Sequence, residues 1–334
     1  MKERQSISIR EISKLSGVSI ATVSRVVNNQ GKVSEKTRQR VLGIIEQYHY
    51  VPDMVAKGMR TKSMPTIAII VPDILIEFYG LLVHTIQKTM LEHSIMSIVC
   101  CTDENPETTQ LYIDILRAQR VSGIIYVPDS HAGTLQIGDL PVVYVDRRPH
   151  GIIPFNCAVV ECDNRHGGYL ATKELLEKGC KRIVVFVDPF QLSNHQQRYL
   201  GYCDALLEYG LKPDPTLVLC VDPLYSTEAM NTMAEFLRKG IPFDGIFSTA
   251  GRITLGIIGA LRKANIDMPQ DVKLVGFDDF RMCDYEMFPL TAIRQPTEEM
   301  ACSAASLLID LIHKCLPEEP LHILPVSFIR RGTT

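Results

Sequence analysis

The sequence predicts an all-α headpiece of about fifty residues joined to a much larger α/β body. Between Ser8 and Tyr48, apolar residues recur at helical spacing in three short stretches, each preceded by a serine that can cap a helix. Charge divides the chain at the same place. Residues 1–63 hold 12 Lys/Arg against 5 Asp/Glu, a net +7, which leaves −10 for residues 64–334 in a chain of −3 overall. Beyond residue 64, short apolar β-rich runs alternate with amphipathic helical stretches, the pattern of parallel sheets covered on both faces.

Ser8 caps the first expected helix, REISKLS, which offers Ile12 and Leu15 to a core. Gly17 supplies the positive φ of a tight turn, and Ser19 caps the second helix. There Val23, Val26 and Val27 form one apolar stripe, while Ala21, Arg25 and Asn28 lie on the other face with Ile20 at its rim. A helix that is apolar behind and small or basic in front fits the major groove of DNA. Ser34 caps a third helix, EKTRQRVLGIIEQYHY, whose Val41, Leu42, Ile44, Ile45 and Tyr48 face inward by spacing. A helix-turn-helix headpiece with a net positive charge points to a nucleic-acid partner. Residues 51–63, VPDMVAKGMRTKS, then read as a connection in which Pro52 stops the third helix and Asp53 can cap a short one.

In the body, strands are expected at TIAIIVP, MSIVCC, GIIYVP, PVVYVD, AVVECD, RIVVFVD, TLVLCV, DGIFST and DVKLVGFDD. Helices are expected between them, from EFYGLLVHTIQKTMLEHS to ITLGIIGALRKANI. A body of this length suits two lobes better than one sheet.

Other classes of protein leave no signature. The ten cysteines form no CxxC pair and read as free thiols of a reducing compartment. Nine histidines show no metal-ligand spacing, and no nucleophile–base pair or phosphate loop is present. The segment DNRHGG reads as a helix start rather than a dinucleotide loop. A polar N-terminus, MKERQSIS, and the lack of a long apolar run lead us to expect a cytoplasmic protein without cofactor, metal or membrane span.

The words VSxxTVSRVVN, VSxxTRxRV and YxPDxxA, with x free, run through residues 18–56. Over residues 8–60 the chain closely resembles the DNA-binding end of the LacI/GalR family of bacterial transcription regulators. In the body, VPDI (71–74), VSGII (121–125), DNRHGGYLATKELLEKG (163–179), RYLGY (198–202), VGFDD (275–279) and PLTAIRQP (289–296) extend the likeness to nearly the whole chain.

The resemblance implies a helix-turn-helix headpiece at 1–50, a hinge helix at 51–63 and a two-lobed effector domain at 64–334 that looks like a periplasmic sugar-binding protein. The N-terminal lobe would take about 64–161 and 293–322, the C-terminal lobe about 162–292 and 323–334. The implied protein is a homodimeric repressor of a near-palindromic operator in double-stranded DNA. Tetrameric relatives carry a leucine-heptad tail after the last strand, where this chain reads FIRRGTT.

Carried over position by position, Ile20, Ala21 and Arg25 match the family's base-reading positions. Ser8, Thr22, Ser24, Asn28, Ser34, Thr37 and Tyr50 match its phosphate contacts. Met59 stands where the family has a leucine that wedges into the minor groove. Chemistry agrees with the split: arginine reads guanine bidentately, whereas hydroxyls and Asn position the backbone.

In the cleft between lobes, Phe78, Tyr79, Asp146, Asn194, Arg198 and Asp278 match positions near the effector. Arg198 has a competing role as a structural ion pair, Asp278 as a cap or lobe bridge, and the two aromatics as core residues. The family's Asn-Pro before the aromatic pair is Ile76-Glu77 here, and its Asn-Asp after a later strand is Ala250-Gly251. The first expectation for the effector is a sugar or sugar derivative. An anionic metabolite held by Arg198 with Arg147 or Arg148 is the second. A protein partner in place of a small effector, and a solute-binding protein without a DNA role, remain as alternatives.

Overall fold

The computed structural model describes residues 7–27, 33–48, 65–129, 136–149, 153–188, 192–284 and 288–334. Asn28, Tyr50, Met59 and the expected hinge at 51–63 lie outside them. The chain divides into two compact units, Met1–Met64 and Pro65–Thr334.

Among the described residues the first unit holds three helices: α1 (Ile9–Ser16), α2 (Ile20–Val27) and α3 (Glu35–Gln47). Ser8 and Glu11 form a reciprocal capping box at α1, and Gly17 ends that helix at φ 64°. Ile12, Val23, Val26 and Val41 are buried together, with Val27, Ile44 and Ile45 at the margin. Leu15 departs from expectation, at 53% exposure. The inward row of α1 is Ile12 and Ser16, one turn apart, which turns Leu15 to the side. Buried Ser16 remains satisfied because its hydroxyl donates to Ile12 O at 2.6 Å. Leu42 and Tyr48 are exposed as well. Val41 of α3 faces the core with Ile44 and Ile45 beside it, so Leu42 turns to another face, and Tyr48 follows the last residue of the helix.

The second unit contains two lobes built on two six-stranded sheets. In chain order the first lobe runs β1 (Thr66–Val71), α4 (Glu77–Glu92), β2 (Met96–Cys101), α5 (Pro106–Ala118), β3 (Gly123–Tyr126), β4 (Val142–Val145) and β5 (Cys157–Cys162). The second runs α6 (Asn164–Glu177), β6 (Ile183–Val187), α7 (Ser193–Glu208), β7 (Val218–Cys220), α8 (Ser226–Arg238), β8 (Gly245–Ser248), α9 (Gly251–Lys263), β9 (Lys273–Phe277), α10 (Arg281–Asp284) and β10 (Thr291–Arg294). The chain then returns to the first lobe for α11 (Thr297–Ile312) and β11 (Leu321–Leu324), and ends in the second with β12 (Ser327–Ile329).

Strand order is β11-β5-β4-β3-β1-β2 in the first sheet, all parallel. It is β12-β10-β9-β8-β6-β7 in the second, parallel except for the antiparallel edge pair β10–β12. Two lobe boundaries move from the expected positions. A change at 293 would cut β10, which pairs with β9 in the second sheet from Thr291 to Ile293. A change at 322 would cut β11, paired with β5 from Leu321 to Leu324. At these two crossings the chain leaves its sheet where Pro296 and Pro325 follow, residues without an N–H to extend a ladder.

Helices α6 and α7 touch through glycine. A methyl on Gly168 would overlap Arg198 O, and one on Gly201 would overlap Arg165 O. This backbone contact fixes the start of α7 against the rest of the lobe.

Candidate functional site

Two surfaces carry chemistry, one in each unit. On the headpiece, α2 buries Val23 and Val26 and leaves Ala21 and Arg25 exposed, with Ile20 half-buried beside them. The expected backbone-contacting hydroxyls sit at helix N-termini. Ser8 accepts from Glu11 N, Ser19 and Thr22 share a hydroxyl contact at 2.9 Å, and Ser34 and Thr37 share one at 2.8 Å. Helix N-termini present free N–H groups and a positive dipole end, which suits a phosphate. Ser24 lies half-buried on α2.

In the body, the cleft lies between the lobes at the carboxyl ends of the strands. Asp146 follows β4 and Asp278 follows β9, both at positive φ (69° and 75°). Phe78 and Tyr79 come from the first turn of α4, and Asn194, His195 and Arg198 from the start of α7. Phe78, Tyr79, Asp146, Asn194, Arg198 and Asp278 all line one inner cavity of about 40 Å³. That cavity shares Ile76, Phe78, Gly251, Arg252, Asp278 and Gln295 with an adjoining space of about 680 Å³.

Asp146 is the hub. Its carboxylate accepts from Tyr79 Oη at 3.1 Å within its own lobe, and both its oxygens accept from Asn194 Nδ2 of the other lobe at 3.1 Å. Arg198 Nη2 stands 3.8 Å from the same carboxylate. The guanidinium of Arg198 donates from Nε to Asn164 Oδ1 at 2.8 Å and from Nη1 to Thr249 O at 2.7 Å. It lies on the Phe277 ring at 3.6 Å from the centroid. Its Nη2 is buried without a hydrogen-bond partner. Arg198 is therefore a structural tie on two edges and an open donor on the third.

The other two arginines of the anionic alternative are committed elsewhere. Arg147 donates to Glu104 at 2.6 Å, to Pro128 O at 3.0 Å and to Tyr79 Oη at 3.0 Å. Arg148 grips Glu161 with two nitrogens. Burial pushes the Tyr79 phenol well above its usual range despite the Arg147 charge, so it stays a donor. Burial also raises Glu104, against the pull of Arg147. His195 is held well below its ordinary value by burial and by the charges of Arg198 and Arg147, and is neutral.

Asp278 does cap a helix: Oδ2 accepts from Gly251 N at the start of α9, and Oδ1 accepts from Gln295 Nε2 at 2.6 Å. Ala250, the residue before α9, has no capping side chain, so Asp278 replaces a local cap there. Tyr79 is core as well as cavity wall, at 5% exposure, with Phe78 edge-on to it at 5.2 Å.

Several participants escaped the sequence reading. Gln295 and Asn164 lie inside recognised words, but nothing in the words distinguishes them. His195 follows an expected cleft residue, Asn194, without a motif of its own. Arg252 bonds Asp73 of the other lobe at 2.6 Å, across 179 residues of sequence. Among the described residues no group of His, Cys, Asp or Glu is arranged to hold a metal ion, and no helix is long and apolar enough to cross a membrane.

A helix-turn-helix unit with an exposed basic helix, and a two-lobed body with a polar cleft, define a DNA-binding regulator of the ligand-cleft type. The family described as bacterial regulatory proteins, lacI family, matches residues 8–53, and the periplasmic binding protein-like domain matches residues 172–334. The transcriptional regulator RegA of Clostridium saccharobutylicum is 33% identical over 98% of this chain and 99% of its own. The ribose operon repressor of Halalkalibacterium halodurans is 29% identical over 98% and 97% of the two chains. The lac repressor dimer bound to operator and the anti-inducer ONPF shares the fold at a TM-score of 0.86 and 22% identity, over 99% of both chains. The regulator CelR in complex with cellobiose matches at 0.73 and 27% identity, over 98% of this chain and 100% of that one. The chain belongs to the LacI/GalR family of DNA-binding transcription regulators, whose members are not enzymes.

Proposed function

We propose that this protein is a homodimeric repressor whose hold on a near-palindromic operator is switched by a neutral, polyhydroxylated small molecule, a sugar or close derivative, bound between the lobes. The observation that carries the ligand class is the balance of open groups in the cleft. Asp146 and Asp278 offer acceptors, while one donor edge of Arg198 is free. Arg147 and Arg148 are already paired with Glu104 and Glu161, and Arg147 Nε, without a hydrogen bond, faces Asp146 at 3.5 Å. A wall on which the carboxylate oxygens of Asp146 and Asp278 outnumber the buried guanidinium nitrogens left without a hydrogen bond, Arg198 Nη2 and Arg147 Nε, suits hydroxyl donors better than phosphate or carboxylate. Among relatives, one is named for the ribose operon and another was solved with cellobiose.

On the DNA side, Arg25 reads a base edge with Ile20 and Ala21 against it, and Ser8, Thr22, Ser24, Ser34 and Thr37 position the backbone. Asn28 and Tyr50 belong to the same backbone set, and Met59 is the minor-groove wedge. Two heads on a two-fold axis then require half-sites about one helical turn apart. A ligand shifts the DNA equilibrium only through unequal affinity for two lobe arrangements.

The test begins with duplexes selected from a random pool. Arg25→Ala is expected to cost about 1–3 kcal/mol on the selected site and to relax one base position per half-site. On the same site, neutral sugars should change the affinity, and D-glucose 6-phosphate or D-gluconate should not. Loss of neither affinity nor preference in Arg25→Ala would overturn the DNA half, and a response to the anions alone would overturn the ligand half.

A further inference from the structure

We infer that His195 is a specificity-determining residue of the cleft, fixed as the tautomer whose Nε2 carries no proton, and that this lone pair takes a hydrogen bond from a ligand hydroxyl. The inference rests on the ligand class proposed above and assigns that class a named acceptor.

The tautomer follows from a chain of hydrogen bonds. Thr249 Oγ1 donates its one proton to Phe186 O at 2.7 Å. His195 Nδ1 lies 3.2 Å from the same Oγ1. With the hydroxyl proton already engaged, the proton on that second line must belong to Nδ1. A neutral imidazole protonated at Nδ1 has a bare lone pair at Nε2. None of the hydrogen bonds of His195 reaches Nε2: its backbone N–H goes to Asn194 Oδ1, and its ring contact is at Nδ1. The side chain lines the inner cavity with Asn194, Arg198 and Asp146.

A second protonation, which would turn Nε2 into a donor, is opposed first by burial, even with the Asp146 and Asp278 carboxylates lining the same cavity. Arg198 of the same helix and Arg147 of the facing lobe both add positive charge against the ring. The ring therefore works as an acceptor next to the unpartnered Nη2 of buried Arg198. A neutral polyol answers both, since one hydroxyl can donate to Nε2 and another oxygen can accept from Arg198. A carboxylate or phosphate brings only acceptors to Nε2 and meets a lone pair with a lone pair.

Two measurements on the full chain test this. The first is 15N NMR of ring-labelled histidine without ligand, with His195→Gln used for assignment. The expected signal is an unprotonated Nε2 with a protonated Nδ1, unchanged between pH 5.5 and 8. A protonated Nε2, or an imidazolium in that range, would overturn the inference whatever ligand binds. The second is calorimetric titration with D-ribose, D-galactose, cellobiose, D-glucose 6-phosphate and D-gluconate.

For a neutral sugar that binds, His195→Asn keeps a donor toward Thr249 but offers nothing at the Nε2 position, and affinity should fall about tenfold. His195→Gln restores an acceptor there and should stay within about threefold of the parent. Equal binding by the parent and His195→Asn, with both variants folded, overturns the role. Failure of all three neutral sugars counts against the ligand class, and the NMR result then decides the tautomer separately.

Discussion

Arg198 shows how far one residue can be read from its neighbours in sequence. Its place in RYLGY marked it for the cleft, and it lies there. The sequence could not show that two of its three nitrogens are spent on Asn164 and Thr249 O, because those partners arrive from α6 and from the end of β8. His195 was missed for the opposite reason: its environment, not its type, makes it special. That environment has a pH consequence. In the folded body His195 stays neutral where the unfolded chain, with a pKa near 6.5, takes up a proton. Its contribution to stability is thus complete above about pH 6.5 and is lost as pH falls below it. In chemical denaturation at a series of pH values, the parent should lose stability relative to His195→Asn between pH 6.5 and 5. The difference should grow by at most about 1.4 kcal/mol per pH unit, one proton's worth. A difference that stays flat or changes sign over that range would show that the ring is not held neutral.

Among the elements, the contact of α6 with α7 controls where the cleft residues stand. DNRHGG was correctly read as a helix start, and Asp163 caps α6 through His166 N at 3.0 Å. Nothing in that word shows that Gly168 is glycine so that Arg198 O can lie against it. The elements after α10 were not read as elements at all. β10 of the second lobe and β11 of the first have four residues each, too few to show a period. The alanine-rich middle of α11 gives little contrast between its faces, and α11 is buried along Ala301, Ala304, Ala305 and Leu308. Glycine's role is testable by contrast. Gly168→Ala should destabilise the body by about 1–3 kcal/mol, because the obstacle is backbone and cannot rotate away. Gly259→Ala, on α9, meets only Met230 at 3.4 Å or more and should stabilise by about 0.5–1 kcal/mol. Thermal unfolding of the two variants should move in opposite directions.

At the scale of the whole body, every ion pair between the lobes among the described residues sets a carboxylate of the first against an arginine of the second. Asp73 meets Arg252 at 2.6 Å, Glu77 meets Arg281 at 3.7 Å, and Asp146 stands 3.8 Å from Arg198. Asn194 adds two bonds to Asp146, and Arg148 N donates to Ser193 Oγ at 2.8 Å. These contacts close the lobes over the inner space of about 40 Å³, which adjoins the outer space of about 680 Å³. Parting the lobes would break these contacts, so they help set the balance between a closed and an open arrangement. The location of the cleft was legible through the family words. The Asp73–Arg252 latch was not, since no local pattern joins residues so far apart in the chain. Both partners are partly solvated, at 19% and 27% exposure, which limits the pair to about 1 kcal/mol. Arg252→Gln should then raise the ratio of open to closed body about fivefold. Energy transfer between dyes placed one on each lobe should report the change as a longer mean distance without ligand. The exchange of charges in Asp73→Arg with Arg252→Asp should bring the distance back toward that of the parent. An unchanged distance in Arg252→Gln would remove the latch from the switch and leave Asp146 with Asn194 as its closing contact.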